Sequence, residues 1–526
     1  MPTRRQFLHA AGAGAAATIL APQGVVLGQS RRAPLLRGGR FRQGVMSGDP
    51  TPRSIVLWTR VDDVERAGTV RLEVATDRGF RNVVATELVG TSGRVDHTVK
   101  ARVSGLRPRE RYWYRFETAT STSPVGRFRT APAADSNDPV RFAFFSCQEW
   151  THGWWNAHEL MADEDLDFVV CLGDYIYEKP LELNAPSGPY TAVRRDTVGE
   201  ARTVGGYRRK YRLYRSDDAL RAVHRNFPLV TIWDDHEVED NYAGGDPTSE
   251  DWAPQRRRAG YRAWFEYMPT FPQGTSRIHR RLRYGRNLDL FMLDERQYRD
   301  NQPCNDVAGP PCPELEQPRD FLGRRQMRWL KDGLRASQAS WKVIGNELQI
   351  MPAKVGANYV PEFDGWQGYP VERRELLTHL RDRGIRDVAF VSGDVHYFAG
   401  GDVRIEEGDA RSVVAHEFVG GSISSAGPGE SNFSLGGGAT LRGNDRSPNT
   451  PPSLIQVFEG SNPWVDALDV DHHGYGVVEA SRRELDVRLK RVATVKERSR
   501  RKLRDLHWTV ERGALGIGGQ EASPDD

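Results

Sequence analysis

Six short apolar runs, at residues 142–146, 168–172, 229–233, 288–293, 341–344 and 388–391, each pass directly into polar residues. The polar ends are Ser146-Cys147-Gln148, Gly173-Asp174, Asp234-Asp235-His236, Asp294-Glu295-Arg296, Gly345-Asn346-Glu347 and Gly393-Asp394-Val395-His396. Apolar runs this short and without alternation read as strands buried on both faces. Helical stretches between them, at 156–163, 322–334 and 372–383, make the pattern α/β. Such a chain must stack helices on the faces of its sheets. Open α/β sheets bind ligands at the carboxyl ends of their strands, which is where these polar residues lie.

The region before this pattern is different. Residues 41–131 carry strand signals alone, at 54–61, 69–76, 83–89, 97–103, 111–117 and 125–129, separated by turn residues. That spacing predicts an all-β sandwich of fibronectin or immunoglobulin type. Gly105-Leu106-Arg107-Pro108 before Tyr112-Trp113-Tyr114 marks a fibronectin-type corner. A chain of 526 residues exceeds a single core. The expected organisation is a leader at 1–30, the β-sandwich at 41–131, a linker at 131–136, a catalytic α/β domain at 138–511 and a flexible tail at 512–526. Residues 180–217 are rich in Arg and Tyr, show no apolar period and read as a surface insertion, either a lid or a solvated face.

Thr3-Arg4-Arg5-Gln6-Phe7-Leu8 precedes an Ala/Gly-rich run at 10–21. That run falls far short of the ~20 residues needed to span a bilayer. It reads as an export signal, and the paired arginines followed by Phe-Leu point to the twin-arginine machinery. The alternative is a basic tail that is retained. The expectation is an exported protein, periplasmic or secreted, without a stable membrane span. Net charge is +3 and falls to near +1 without Arg4 and Arg5, which offers no argument for binding nucleic acid. Cys304 and Cys312 bracket a Pro/Gly-rich loop and read as a local disulfide or as two free thiols. Cys171 reads as a buried small residue.

The strand ends hold the materials of a metal cluster. Hydrolysing a phosphoester calls for positive charge on both sides of the reaction centre, which two metal ions roughly 3.5–4 Å apart provide. Asp174 with Tyr177 three residues on offers either a carboxylate and a phenolate, a hard pair that favours Fe³⁺, or an Asp beside a plain core aromatic. Cys147 is either an inert buried cysteine or a thiolate ligand. Asp394 and His396, two apart in extended chain, point the same way and can reach one ion. The segment 233–241 carries five carboxylates and His236, and is either neutralised by metal or solvated. Carboxylates here suit Ca²⁺. His236 is a candidate to bind phosphate or protonate the leaving group. Arg296 is a candidate phosphate clamp or the partner of a structural ion pair with Asp294. His152, His158, His472 and His473 read as structural or surface histidines.

Taken in order, these motifs resemble the PhoD-like alkaline phosphatases, a branch of the calcineurin-like metallophosphoesterases. The residues that carry the resemblance are 44–50 with Leu57-Trp58-Thr59-Arg60, Ser146-Cys147-Gln148, residues 173–178, residues 233–238, residues 293–299, Asp364-Gly365-Trp366-Gln367-Gly368-Tyr369-Pro370 and residues 392–396. The resemblance implies a four-layer αββα sandwich behind the N-terminal β-domain. It implies Fe³⁺ held by Cys147, Asp174, Tyr177, Asp394 and His396, with Asp174 bridging to Ca²⁺. Asp235 joins the calcium side, with Asp234 and Asn241 as further candidates. Asp240 departs from an Asn common at that position, which leaves open which residue of 239–241 touches calcium. Hydrolysis of phosphate monoesters or diesters by a metal-bound hydroxide follows, with His236 and Arg296 as catalytic residues. The alternatives are a phospholipase D-like or cell-wall-polymer diesterase, and a non-catalytic exported module that binds phosphate or glycans.

Overall fold

The computed structural model describes residues 34–180, 192–244, 254–430, 433–435, 439–441 and 454–517. The expected leader, and the tail beyond 517, lie outside the described residues.

Two large sheets face each other. The first has nine strands, ordered Leu506–Glu511, Glu484–Val492, His473–Ala480, Val140–Phe145, Phe168–Cys171, Pro228–Thr231, Val45–Gly48, Ser54–Arg60 and Thr98–Ser104. The second has seven, ordered Arg280–Tyr284, Leu288–Met292, Trp341–Gly345, Val388–Ser392, Val413–Gly420, Phe398–Arg404 and Val465–Asp469. All six expected apolar runs are strands within these sheets. Three of them, ending near Cys147, Asp174 and Asp234, lie side by side and parallel in the first sheet. The other three are parallel neighbours in the second. Parallel alignment brings each trio's carboxyl ends to one edge, which is how residues far apart in sequence come to share a site.

One apolar core fills the space between the sheets and continues under the helices on the first sheet's outer face. It joins Phe142, Phe144 and Val169 to Leu290, Val343, Val391 and Phe418. A second core, including Phe291, Leu330, Ile344, Leu377 and Phe390, lies under helices Gly323–Ala336 and Pro370–Asp382. Helix, sheet, sheet and helix make the expected four layers.

The N-terminal strands form a sandwich with its own core, centred on Ile55, Leu72, Val99, Tyr114 and Phe116. The Tyr112 hydroxyl accepts the Arg107 backbone N–H at 2.9 Å, closing the expected corner. One layer of this sandwich is a separate four-stranded sheet. The other layer consists of Val45–Gly48, Ser54–Arg60 and Thr98–Ser104, and it is the end of the nine-stranded sheet. Ser47 and Gly48 pair in parallel with Pro228 and Leu229. The two regions therefore share a sheet as well as a linker.

The insertion reading needs correction. Among its described residues, Val204–Tyr214 is an α-helix whose N-cap Thr203 accepts the Gly206 N–H. Tyr207, Tyr211 and Tyr214, at i, i+4 and i+7, are all buried, and Lys210 is buried against Asp196. Arg194 is also buried, stacked 3.9 Å over Trp150 and paired with Asp217 at 2.8 Å. The polar ends of Tyr disguise an apolar helical stripe, and these Arg and Lys residues are packed rather than solvated.

Candidate metal centre

Several of the strand-end residues adopt a backbone conformation that L-residues avoid. Cys147, Asp174, Asn241, Asp394 and His396 have φ of 57°, 50°, 52°, 70° and 58°. Left-handed non-glycine residues cost about 1–3 kcal/mol each and cluster where function requires it. Gly173 precedes Asp174 with φ +116°, and a Cβ there would lie 2.3 Å from Asp234 Cβ. Only glycine lets these two strand ends approach so closely.

Three sets of donor atoms converge. Atoms of Cys147, Asp174 and His396 lie within 4.8 Å of one another, as do those of Asp174, Asp235 and His236, and those of Asp234, Asp235 and Asp394. Asp174 is common to the first two sets and Asp235 to the last two. The Tyr177 hydroxyl is 3.2 Å from His396 Nε2, which brings the phenol into the first set. His396 Nδ1 lies 2.9 Å from the Ala426 carbonyl. A carbonyl only accepts, so Nδ1 carries the proton and Nε2 presents a lone pair to the cluster. Burial lowers the His396 pKa to about 4, which keeps the ring neutral.

The electrostatics fit bound cations. Burial pushes the Cys147 thiol well up, and the neighbouring Asp174 and Asp394 add to the effect. Burial also raises Asp174, with Asp235 adding, and Asp394, with Asp234 adding. Buried donors that hold one another neutral are what metals neutralise. Asp235 Oδ1 is buried without a hydrogen-bond partner. Access comes from the rim, where the Asp394 and Asp240 side chains are 21% and 47% exposed.

His236 lies beside this cluster. Its Nδ1 is 2.7 Å from Glu178 Oε2, and its ring packs 4.1 Å from that of Tyr177. Burial opposes charge on this ring, but Asp235, Asp174 and Glu178 outweigh it and hold the imidazole protonated. Asn241 donates its backbone N–H to Asp235 Oδ2 at 2.7 Å. Its side chain donates to Asp306 and Glu362, at 3.2 and 3.3 Å. Asp306 lies in the loop closed by the Cys304–Cys312 disulfide, so that loop abuts the centre.

Arg296 does not pair with Asp294. Its Nε is 2.5 Å from Asp234 and its Nη1 2.7 Å from Asp364, while Nη2 is 3.6 Å from Asp235 and 3.4 Å from Asp394. The side chain is completely buried. Asp294 instead accepts from Trp233 Nε1 and from Gln297. The strand end turns Arg296 inward, where four carboxylates outcompete the near neighbour in sequence.

Three of the four histidines set aside earlier are satisfied elsewhere: His158 by Gln148, His472 by Asp469 and His473 by Ser422. His152 accepts the Ala426 N–H at 3.0 Å and so stands directly behind His396. Several supporting residues escaped the sequence reading. Glu237 accepts backbone N–H groups from Asp174, Tyr175 and Asp234, at 3.1, 2.8 and 2.9 Å. Glu178 orients His236, and Ser425 and Ala426 contact Tyr177 and His396. Glu178 sits inside the Gly173–Glu178 motif and was open to notice. Ser425 follows no strand signal and carried none.

The sequence model of the PhoD-like phosphatase family matches residues 142–489. The chain belongs to that family. The model of the PhoD-like phosphatase N-terminal domain matches residues 28–132. Alkaline phosphatase D of Bacillus subtilis (strain 168) is 38% identical over 452 residues, covering 81% of this chain and 77% of that protein. A solved structure of PhoD superposes with a TM-score of 0.84 at 32% identity, covering 94% of each chain. Purple acid phosphatase PPD1 from yellow lupin shares the fold, with a TM-score of 0.54 at 12% identity over 89% of this chain and 74% of that one. This PhoD-like chain is thus a phosphoric ester hydrolase. Its candidate metal-binding groups lie where the parallel strands of the two sheets end. Among its described residues, no helix is long and apolar enough to cross a membrane.

Proposed function

We propose that this enzyme hydrolyses phosphate monoesters, diesters or both at a dinuclear Fe³⁺/Ca²⁺ centre. Cys147, Asp174, Tyr177, Asp394 and His396 would hold the iron. Asp174 and Asp235, with Asp234 and Asn241, would serve calcium. The observation that carries the reading is the convergence of thiol, phenol, imidazole and a shared carboxylate on one buried point. Phenolate and thiolate are strong anionic donors suited to a trivalent ion, while the carboxylate and amide oxygens beside them suit Ca²⁺. Such a pair supplies positive charge to the phosphate oxygens and lowers the pKa of a bound water.

The chain's own residues do the rest. Glu178 fixes His236 through Nδ1, which leaves Nε2 to offer a proton to a departing alkoxide. Arg296 holds Asp234 and Asp364 in place and directs Nη2 toward Asp394 at the rim. Export by the twin-arginine machinery completes the proposal, motivated by Arg4-Arg5-Gln6-Phe7-Leu8. Unchanged export of the Arg4→Lys/Arg5→Lys variant would sink that part.

The deciding experiment is metal analysis of protein purified after native export, together with its visible spectrum. Iron with a tyrosinate-to-iron absorption band that vanishes in Tyr177→Phe supports the assignment. A colourless protein that is active without iron refutes it. Rates on a nitrophenyl monoester and its bis-ester analogue set the substrate preference. Tyr207, Tyr211, Tyr214 and Arg194 face inward, so they offer no contact to the anionic substrate of a cell-wall-polymer diesterase.

A further inference from the structure

The dipeptide Ser425-Ala426 touches three of the residues assigned to the metal. Ser425 donates its backbone N–H to the Cys147 carbonyl at 3.2 Å. Its hydroxyl lies 2.7 Å from the Tyr177 oxygen, and Ala426 accepts from His396 Nδ1. Ser425 and Tyr177 are both fully buried.

The direction of the hydroxyl bond follows from what each of the two oxygens already bonds. The backbone N–H of Glu149 points at Ser425 Oγ from 3.0 Å. An N–H can only donate, so it occupies an oxygen lone pair. A second lone pair remains on Ser425, so the tyrosine decides: His396 Nε2 presents a lone pair that takes the single Tyr177 proton, which leaves the Ser425 proton to point at Tyr177 Oη. The phenol oxygen is therefore an acceptor toward Ser425, and its own proton faces the lone pair on His396 Nε2, 3.2 Å away. A metal ion that displaces that proton meets an oxygen already hydrogen-bonded from behind. The other end of Tyr177 is held as well: its backbone N–H donates to Tyr214 Oη at 3.1 Å, and Tyr214 donates to Glu149 at 2.8 Å. Glu149 thus anchors both Ser425 and Tyr214.

We propose that Ser425 is a positioning residue that donates its hydroxyl proton to the Tyr177 phenolate and so limits how strongly that ligand donates to the metal. The inference rests on the assignment of Tyr177 as an iron ligand. A hydrogen bond to an anionic oxygen is short and strong, and it draws electron density away from the metal bond. The ion keeps more of its Lewis acidity. Removing the donor raises the filled phenolate orbitals toward the empty metal orbitals, which lowers the energy of the charge-transfer transition.

The test uses full-length enzyme with ferric iron in excess. Ser425→Ala should move the tyrosinate-to-iron band to longer wavelength and lower kcat by about tenfold, the lower end of what losing an outer hydrogen bond does at metal sites. Ser425→Thr, which keeps the hydroxyl, should restore both. An unmoved band in iron-loaded Ser425→Ala overturns the role of Ser425 alone. Absence of the band in wild type overturns the Tyr177 assignment and the inference with it. Resonance Raman of wild type, excited in the band, needs no variant. Transfer to D₂O should shift the iron–phenolate stretch, and no shift overturns the proposal.

Discussion

Glu237 makes a sharp test of how the centre is held open for metal. Its Oε2 accepts the N–H groups of Asp174 and Asp234, and its Oε1 accepts that of Tyr175. The side chain is fully buried. Glu237→Gln keeps the shape and exchanges one oxygen for a donor. The better amide orientation places NH₂ at the Oε1 position and leaves the Tyr175 N–H facing another donor. An unsatisfied buried donor costs about 1–3 kcal/mol. Burial pushes the Glu237 carboxyl up to about 8, so the measurement is made at pH 9, where the ionised carboxylate's two remaining bonds also lose their charge assistance, about 1 kcal/mol each. The expected loss is roughly 3–5 kcal/mol, a large share of the ~5–15 kcal/mol that a folded domain has in hand. Urea unfolding of chelator-treated protein isolates this term from metal linkage. Because Asp174 and Asp234 are the residues released, bound metal should also weaken by about 10–100-fold. A Glu237→Gln protein within 1 kcal/mol of wild type, with unchanged metal content, would refute the reasoning.

Two further perturbations follow from buried charge. Arg296→Met leaves Asp234, Asp235, Asp364 and Asp394 without their shared cation, so stability should fall by about 3–5 kcal/mol and recover in part when Ca²⁺ is added. Wild-type melting behaviour without calcium would count against it. Asp469 is buried, which opposes its charge, but His472 and Arg491 outweigh burial and hold its carboxyl well below the ordinary range. A depressed folded pKa gives stability that is present above the unfolded value, about 3.9, and is lost as pH falls. Burial and Arg491 oppose charge on His472, but Asp469 outweighs them and raises it, so its share is present below about 6.5 and is lost as pH rises through its folded value. Asp469→Asn should therefore cost about 3–5 kcal/mol between pH 4 and 6.5, with the gap to wild type closing in acid. Unfolding curves across pH check the sign.

The parallel strands and the residues at their tips were legible because the two signals coincide. Phe142 to Cys147 and Val388 to His396 each read as a buried run that ends in donors, and strand and site are one pattern. What was hidden had a different cause in each case. Helix Val204–Tyr214 buries Tyr207, Tyr211 and Tyr214, whose hydroxyls make the stripe look polar in composition. Strand Glu484–Val492 alternates cleanly between exposed and buried positions, a period-2 signal that was there to be read. That it returns beside Val140–Phe145 through His473–Ala480 is a long-range pairing that no local pattern encodes. The roles of Glu237, which counts in sequence only as one carboxylate of 233–241, and of Ser425 were illegible for a third reason. Each acts through one hydrogen bond or a few to backbone or side chain across the site, and such partners appear only when the chain is folded.

The backbone of the centre bears on how it is filled. Five non-glycine residues at or beside the donor sets are left-handed, a burden of roughly 5–15 kcal/mol at about 1–3 kcal/mol each. That is comparable to the net stability of a whole domain, so the surrounding contacts must offset it. Backbone contacts between strand ends brace them. The Cys147 N–H donates to the Gly173 carbonyl at 3.4 Å, the Gly393 N–H to Glu347 at 3.1 Å, and Glu237 clasps the Asp174 and Asp234 turns. Each of these contacts joins one strand end to another, two of them within the first sheet and one within the second. The donors are thus fixed by the two sheets, and the first core reaches the site itself through Tyr177. The fold of the two sheets therefore sets where these donor side chains point.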